Sequence, residues 1–213
     1  MKDVIIVGAG GFGPEILQYV SEFQATSTEY NVKGFLDDDP QKLGRFILGY
    51  SVIGNTTDYT IKDNDWFIMA IGQPGTQKIV AERLRHKGAR FLTIIHPKSY
   101  VADSAELGEG CIICPFCNVS SHAKLGRNVV LTCFSTAAHH SQLGDYSVLS
   151  PYSAVNGGAI IGEAVFLGTG SAVNPNKRVG NNSKIAAGSY VYRDVAENMI
   201  AMGNPAKARP ILL

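Results

Sequence analysis

From Val101 to Ala196 the chain can be cut into sixes without one insertion, from VADSAE, LGEGCI and ICPFCN through to IAAGSY and VYRDVA. Of the sixteen first positions, fifteen are Val, Leu or Ile, and the exception is Ala137. The fifth positions are Ala, Cys, Ser or Val, apart from Lys177. Gly follows the aliphatic residue at Gly108, Gly126, Gly144, Gly162, Gly168 and Gly180. A helix would need apolar spacing near 3.6 residues, so a strict six does not fit it. A collagen repeat needs Gly at every third residue, and that is absent. What remains is a solenoid of short strands with tight corners. Its first and fifth positions point inward, and each unit buries its apolar face only by stacking on the next.

Residues 3 to 97 follow another rule. DVIIVGAG, VKGFLDDD, DWFIMAIG and RFLTIIHP read as strands, the last closed by Pro97. GPEILQYVSEF and TQKIVAERLRHKG read as helices, with Ile16, Leu17, Val20 and Phe23 on one side of the first. Alternation of strand and helix predicts a parallel, Rossmann-like sheet. The expected division is therefore 1–97, an α/β unit, and 98–213, an all-β solenoid with a short tail.

Gly8, Gly10 and Gly13 fit G-x-G-x-x-G between a strand and a helix, and Asp37 follows the next strand. The literal reading is a dinucleotide site. A full dinucleotide fold needs two mononucleotide halves, and about 95 residues supply little more than one. A nucleotide-bearing substrate fits better than a redox cofactor, since glycines admit a ligand to the backbone and a helix N-terminus attracts phosphate. A tight turn with no ligand is the other reading.

Composition removes other classes. The 19 Lys and Arg against 18 Asp and Glu leave a net charge of +1, so no basic field points to nucleic acid. No uncharged apolar run reaches the roughly 18 residues of a membrane span. Four cysteines are too few for a disulfide scaffold, and a cytoplasmic setting is the expectation.

A glycine-rich βαβ unit ahead of a hexapeptide helix resembles the bacterial sugar acetyltransferases. These include the UDP-4-amino-sugar N-acetyltransferases of the bacillosamine pathway, the perosamine N-acetyltransferases and the sialic acid O-acetyltransferases. The markers are Gly8-Ala9-Gly10-Gly11, Phe35-Leu36-Asp37-Asp38, Ala70-Ile71-Gly72, Ile95-His96-Pro97, a His in the seventh hexad and Gly203-Asn204-Pro205-Ala206-Lys207. The resemblance implies a left-handed parallel β-helix with three hexads per coil, hence about five coils. It implies a homotrimer, with acetyl-CoA along the outside of the helix at the seam between subunits. It implies substrate contacts at Gly10, Gly11, Phe12, Asp37, Asp38 and Gly72. Acetyl-CoA contacts are expected at Val148, Gly168, Thr169, Ala187 and Lys207, with no metal. The chain departs from the family at Phe12, where His is frequent, and at His140, where an acid often follows the catalytic His.

The histidines sort by position. His86 reads as a solvated helix residue and His96 as a structural residue. His122 and His140 both hold the fourth place of a hexad, 18 residues apart, so they stack if a coil is 18. His139 aligns with the family's base by its distance to Leu143-Gly144. Imidazole titrates near the working pH and suits deprotonation of an attacking nucleophile. Gly157 lies 18 residues after His139, where its N–H would serve the oxyanion. His140 is the alternative base or an orienting neighbour. Three histidines on a β-helix also allow a zinc site like that of the γ-type carbonic anhydrases, and a non-catalytic binding protein is the third reading. Cys111-x-x-Cys114-x-x-Cys117 looks like a zinc knuckle, but Cys111 and Cys117 take inward positions on successive faces, so core packing is expected. Lys177, Arg178, Lys184, Lys207 and Arg209 could meet CoA phosphates or be ordinary surface.

Overall fold

A computed structural model of the chain describes residues 1–24 and 29–211. The side chain of Phe23, expected on the buried side of the first helix, lies outside the described residues. Internal contacts separate two units: Met1–Gly72 with Thr76–Leu92, and Gln73–Gly75 with Thr93–Leu213.

The first unit is built on strands β1 (Lys2–Val7), β2 (Tyr30–Leu36), β3 (Phe46–Ile47), β4 (Tyr50–Gly54), β5 (Asp65–Met69) and β6 (Arg90–Phe91), in the order β3-β4-β2-β1-β5-β6. All pairs are parallel except β3 with β4. Val4, Ile5, Ile6 and Val7 are buried without alternation, as expected for a parallel strand covered on both faces. Helix α1 (Phe12–Gln24) buries Ile16, Leu17 and Val20, and helix α2 (Pro74–His86) buries Val80, Ala81 and Leu84. The β3–β4 hairpin falls in a stretch with no clear period.

The expected fourth strand over RFLTIIHP is a correction. Arg90–Phe91 joins the first sheet, whereas Ile94–Ile95 pairs with Ile112–Ile113 and is the first rung of the solenoid. The units therefore divide at Leu92–Thr93 rather than after Pro97. The hexad frame also starts earlier than Val101, at Ile95, with half-buried Ser99 in its fifth place. Indeed Ser99 Oγ accepts from Cys117 N–H, one coil ahead.

Asp65 ties the first unit together. Its side chain is fully buried, and it accepts from Lys33 Nζ at 2.6 Å, Lys62 N–H at 2.9 Å and Tyr59 Oη at 3.0 Å. Burial pushes the carboxyl up, but the Lys33 ammonium, the Lys62 amide and the Tyr59 hydroxyl outweigh it and hold the group below its usual range.

The second unit has three parallel sheets, one per side of the coil. Strands at Ile94–Ile95, Ile112–Ile113, Val130–Leu131, Val148–Leu149, Phe166–Leu167 and Lys184–Ile185 pair in 18-residue steps. The second sheet runs from Tyr100–Val101 to Tyr190–Val191, and the third from Glu106–Leu107 to Arg178–Val179. Two antiparallel strands, Met199–Met202 and Lys207–Pro210, finish the first of these sheets. First-position aliphatics such as Val119, Leu131, Leu149, Val155 and Leu167 fill the core, and buried serines take the fifth places. Ser147 Oγ donates to Gly162 O at 2.8 Å, and Ser183 Oγ to Ala196 O at 2.8 Å, which meets the need of buried hydroxyls. Cys111 and Cys117 are fully packed core residues, and burial pushes the Cys111 thiol up to about 12.

The corners have a common geometry. Every fourth hexad position from Gly110 to Gly188 has φ between 53° and 78°, including Phe116, His122, His140 and Tyr152. The left-handed region is costly for such residues. From His140 on it is offset because the fourth-position N–H donates to the third-position carbonyl one coil earlier, as His140 to Ser121, Gly158 to His139 and Asn176 to Gly157, whereas Gly110 and His122 donate to the hydroxyls of Thr93 and Ser104. Coils approach closely at the second position, where a Cβ on Gly144 would lie 2.5 Å from the Gly162 carbonyl carbon.

Asp65→Ala is expected to cost the first unit about 1.5–3 kcal/mol, the range for hydrogen bonds to a charged group. Because the folded carboxyl is held below its ordinary value, its contribution is complete above the unfolded pKa of about 3.9 and is lost as pH falls through the lower folded value. Urea unfolding at neutral and acid pH measures both; an unchanged midpoint in the variant at pH 7 would contradict the assignment.

Candidate active site

The seventh hexad turns the chain from strand Thr136–Ala137 to strand Gln142–Leu143. Ala138 and Ser141 anchor this corner through backbone bonds, and His139 and His140 project from it, both exposed. His140 holds the left-handed corner, with φ of 60°. The 18-residue register stacks it on His122, with ring centroids 5.0 Å apart and planes tilted by 40°.

His139 occupies the third position and lies over Gly157 of the next coil. A Cβ on Gly157 would meet His139 Cε1 at 2.5 Å and Nε2 at 2.7 Å, so only glycine leaves this ring its place. The coil bond from Gly158 N–H to His139 O, at 3.0 Å, sets the two residues in register. Among the described residues, Gly157 N–H has no intrachain acceptor and His139 Nε2 no partner. The other ring nitrogen of His139 meets His140 Nδ1 at 3.2 Å. No carboxylate bonds either ring among the described residues. The site thus offers an imidazole with one free nitrogen beside a free backbone donor, which is the equipment for proton removal and oxyanion binding.

The glycines of the first unit divide in two. Gly8 has φ of 105°, and a Cβ there would lie 2.8 Å from Ala70 O. A Cβ on Gly13 would strike Gly8 O. These two are needed for packing of strand against helix. A side chain at Gly10, Gly11 or Gly72 would enter open space, so packing does not account for them. Phe12 is half-buried at the first residue of α1.

Asp37 and Asp38 are already engaged. Asp37 Oδ2 accepts from Ala9 N–H at 2.7 Å and pairs with Lys42 Nζ at 3.1 Å. Burial raises its carboxyl, but the Asp39 and Ala9 amides and Lys42 hold it below the usual range. Asp38 accepts from Thr56 N–H at 2.8 Å and pairs with Arg83 at 2.7 Å. Burial again opposes and is outweighed by Thr56 and Arg83. The sequence pattern marks the two acids but not their partners. Arg83 is 45 residues from Asp38, and only the fold brings them together.

On the solenoid, Thr169 and Ala187 are exposed third-position residues on adjacent coils, joined by Gly188 N–H to Thr169 O at 2.9 Å. Gly168 lies behind them, where a Cβ would meet Ala187 N at 2.6 Å. Lys207 is exposed on the final hairpin. Val148 is buried on a strand of the first solenoid sheet and presents no exposed side chain beside them. Lys184 lies over the Phe166 ring at 5.4 Å. His86 is exposed, with Nδ1 2.7 Å from Glu82 O, and buried His96 accepts Lys98 N–H at Nδ1. Among the described residues, no three His, Cys, Asp or Glu side chains are grouped to hold a metal ion.

Residues 3–84 match the PglD N-terminal domain. Over 118 residues the chain is 32% identical to the UDP-N-acetylbacillosamine N-acetyltransferase of Bacillus subtilis (strain 168), a match covering 53% of this chain and 51% of that protein. The match thus spans about half the length of this curated relative. Solved structures align over nearly the whole chain. PerB from Caulobacter crescentus, in complex with CoA and GDP-perosamine, is 26% identical with a TM-score of 0.88, covering 98% of each chain. The acetyltransferase domain of PglB from Neisseria gonorrhoeae FA1090, in complex with acetyl coenzyme A, is 26% identical with a TM-score of 0.87, covering 99% of each. Residues 3–84 thus resemble the PglD N-terminal domain, and over nearly its whole length the chain is similar in fold to PerB and to the acetyltransferase domain of PglB.

Proposed function

We propose that the chain is an acetyl-CoA-dependent acetyltransferase acting on the amino group of a nucleotide-linked amino sugar. The observation that carries this reading is the full-length likeness to a structure holding CoA together with a nucleotide-linked amino sugar. His139 over Gly157 supplies the chemistry it needs. The sugar nitrogen attacks the thioester carbonyl carbon while His139 Nε2 takes the amine proton. The oxyanion accepts a bond from Gly157 N–H. Collapse breaks the C–S bond, and the CoA thiolate leaves and takes the proton back from His139.

In this reading the open glycines Gly10, Gly11 and Gly72 admit the nucleotide to the backbone at the start of α1. Phe12 gives that ligand an apolar edge. Asp37 acts by holding the Ala9 amide, and Asp38 by holding Thr56 and Arg83, so both shape the loop. Acetyl-CoA lies along the solenoid surface past Thr169 and Ala187, with Gly168 keeping the coils close and Lys207 offered to a phosphate. The assembly is a homotrimer with the cofactor at the subunit seam. The four cysteines are free, and we place the reaction in the cytoplasm.

Four experiments test this. Mass spectrometry of UDP-, dTDP- and GDP-linked amino sugars incubated with acetyl-CoA should show one gain an acetyl group; no product from any of them would count against the reading. Sedimentation should give a trimer, and a stable monomer that turns over would contradict the seam. His139→Ala should lower kcat by about 10²–10⁴-fold with KM for acetyl-CoA little changed. Gly157→Ala should fold normally, because Gly157 is outside the left-handed region, yet displace the His139 ring and lower kcat by about 10–10²-fold. Full activity in either variant would remove that residue from the mechanism.

A further inference from the structure

The contact between His139 Nδ1 and His140 Nδ1, at 3.2 Å, constrains where protons sit. Two bare ring nitrogens repel, and two N–H groups collide, so one nitrogen donates and the other accepts. A base that works through Nε2 must have that nitrogen bare. Neutral His139 then carries its proton on Nδ1 and donates it. His140 must accept at Nδ1 and carry its own proton on Nε2, which exposure leaves to water.

We infer that His140 is the positioning residue of this site, its Nδ1 accepting the Nδ1–H of His139 and so holding His139 in the tautomer whose Nε2 is free. An imidazole thereby does what a carboxylate or carbonyl does for other histidine bases, which is to fix tautomer and ring orientation from the far nitrogen. Two features hold His140 to this task. Its backbone is fixed at the corner by φ of 60° and by its N–H bond to Ser121 O at 3.1 Å. Its ring is held against His122 on the coil before. When His139 takes a proton, the shared bond becomes a charge-assisted one. The use of this base rests on the proposed acetyl transfer, but the tautomer is a property of the protein alone.

The test has two arms. In the first, ¹⁵N NMR of histidine-labelled protein, at a pH where the rings are neutral and without substrate, should show His139 protonated at Nδ1. In His140→Phe, which keeps a ring against His122 but no acceptor, His139 should move toward the Nε2–H form that free imidazole prefers. In His140→Asn the Nδ1–H form should persist, because the amide oxygen falls near the place of Nδ1. Asparagine also suits this corner, as Asn128, Asn176 and Asn182 hold the same hexad position with φ of 53°, 60° and 56°. In the second arm, His140→Phe should lower kcat by roughly tenfold, part of what a general base supplies, with KM for acetyl-CoA unchanged, and His140→Asn should restore most of it. His139 found as Nε2–H in the parent protein, or a tautomer indifferent to His140→Phe, would overturn the inference whether or not any sugar is acetylated. Failure of turnover with the expected tautomers in place would instead count against the proposed reaction.

Discussion

The backbone bond from a corner residue to the coil before it, made at most corners, governs the rest of the solenoid. A residue in the left-handed region would be strained alone, yet Phe116, Phe134, Tyr146 and Ala164 all accept that conformation. At Phe134, Tyr146 and Ala164 the turned N–H finds the third-position carbonyl one coil earlier, on Pro115, Arg127 and Asp145. The same bond sets the pitch at 18 residues. A one-residue change in any hexad would move the corner off its partner carbonyl and turn inward residues outward. The uninterrupted frame of sixes is the sequence record of that constraint.

Register also builds the site. Because 18 residues close a coil, His122, His140 and Gly158 fall in one corner column, and Ser121, His139 and Gly157 fall beside it. No long-range packing has to bring these groups together. The coil's own hydrogen bonds place an imidazole over a glycine and a second imidazole against the first. On the next coil the absence of a side chain at Gly157 is as much part of the site as the presence of His139. The first unit works differently, since its loop is held by ion pairs, Asp37 with nearby Lys42 and Asp38 with Arg83, which is 45 residues away.

What could be read from the residues follows this division. The solenoid, its inward cysteines and the stacking of His122 on His140 are periodic facts, and a period of six survives in a one-dimensional string. The start of the solenoid was less legible: Ile95 and Ser99 keep the frame, but Pro97 imitates the close of a strand and no Gly follows Ile95. The β3–β4 hairpin has two-residue and five-residue strands joined at Leu48 and Gly49, and Leu at a left-handed turn is a poor signal. Of G-x-G-x-x-G, the pattern alone does not say that Gly8 and Gly13 serve packing while Gly10 faces open space. The pairing of ring nitrogens in His139 and His140 depends on side-chain rotamers, which adjacency in sequence leaves open.

The most direct test of the role given to His139 is a crystal structure of the protein with CoA and a nucleotide-linked amino sugar. The sugar nitrogen is expected within hydrogen-bond reach of His139 Nε2, about 2.6–3.2 Å, with Gly157 N–H directed at the thioester oxygen's place. A sugar nitrogen seated instead on His140, or on neither ring, would contradict the account.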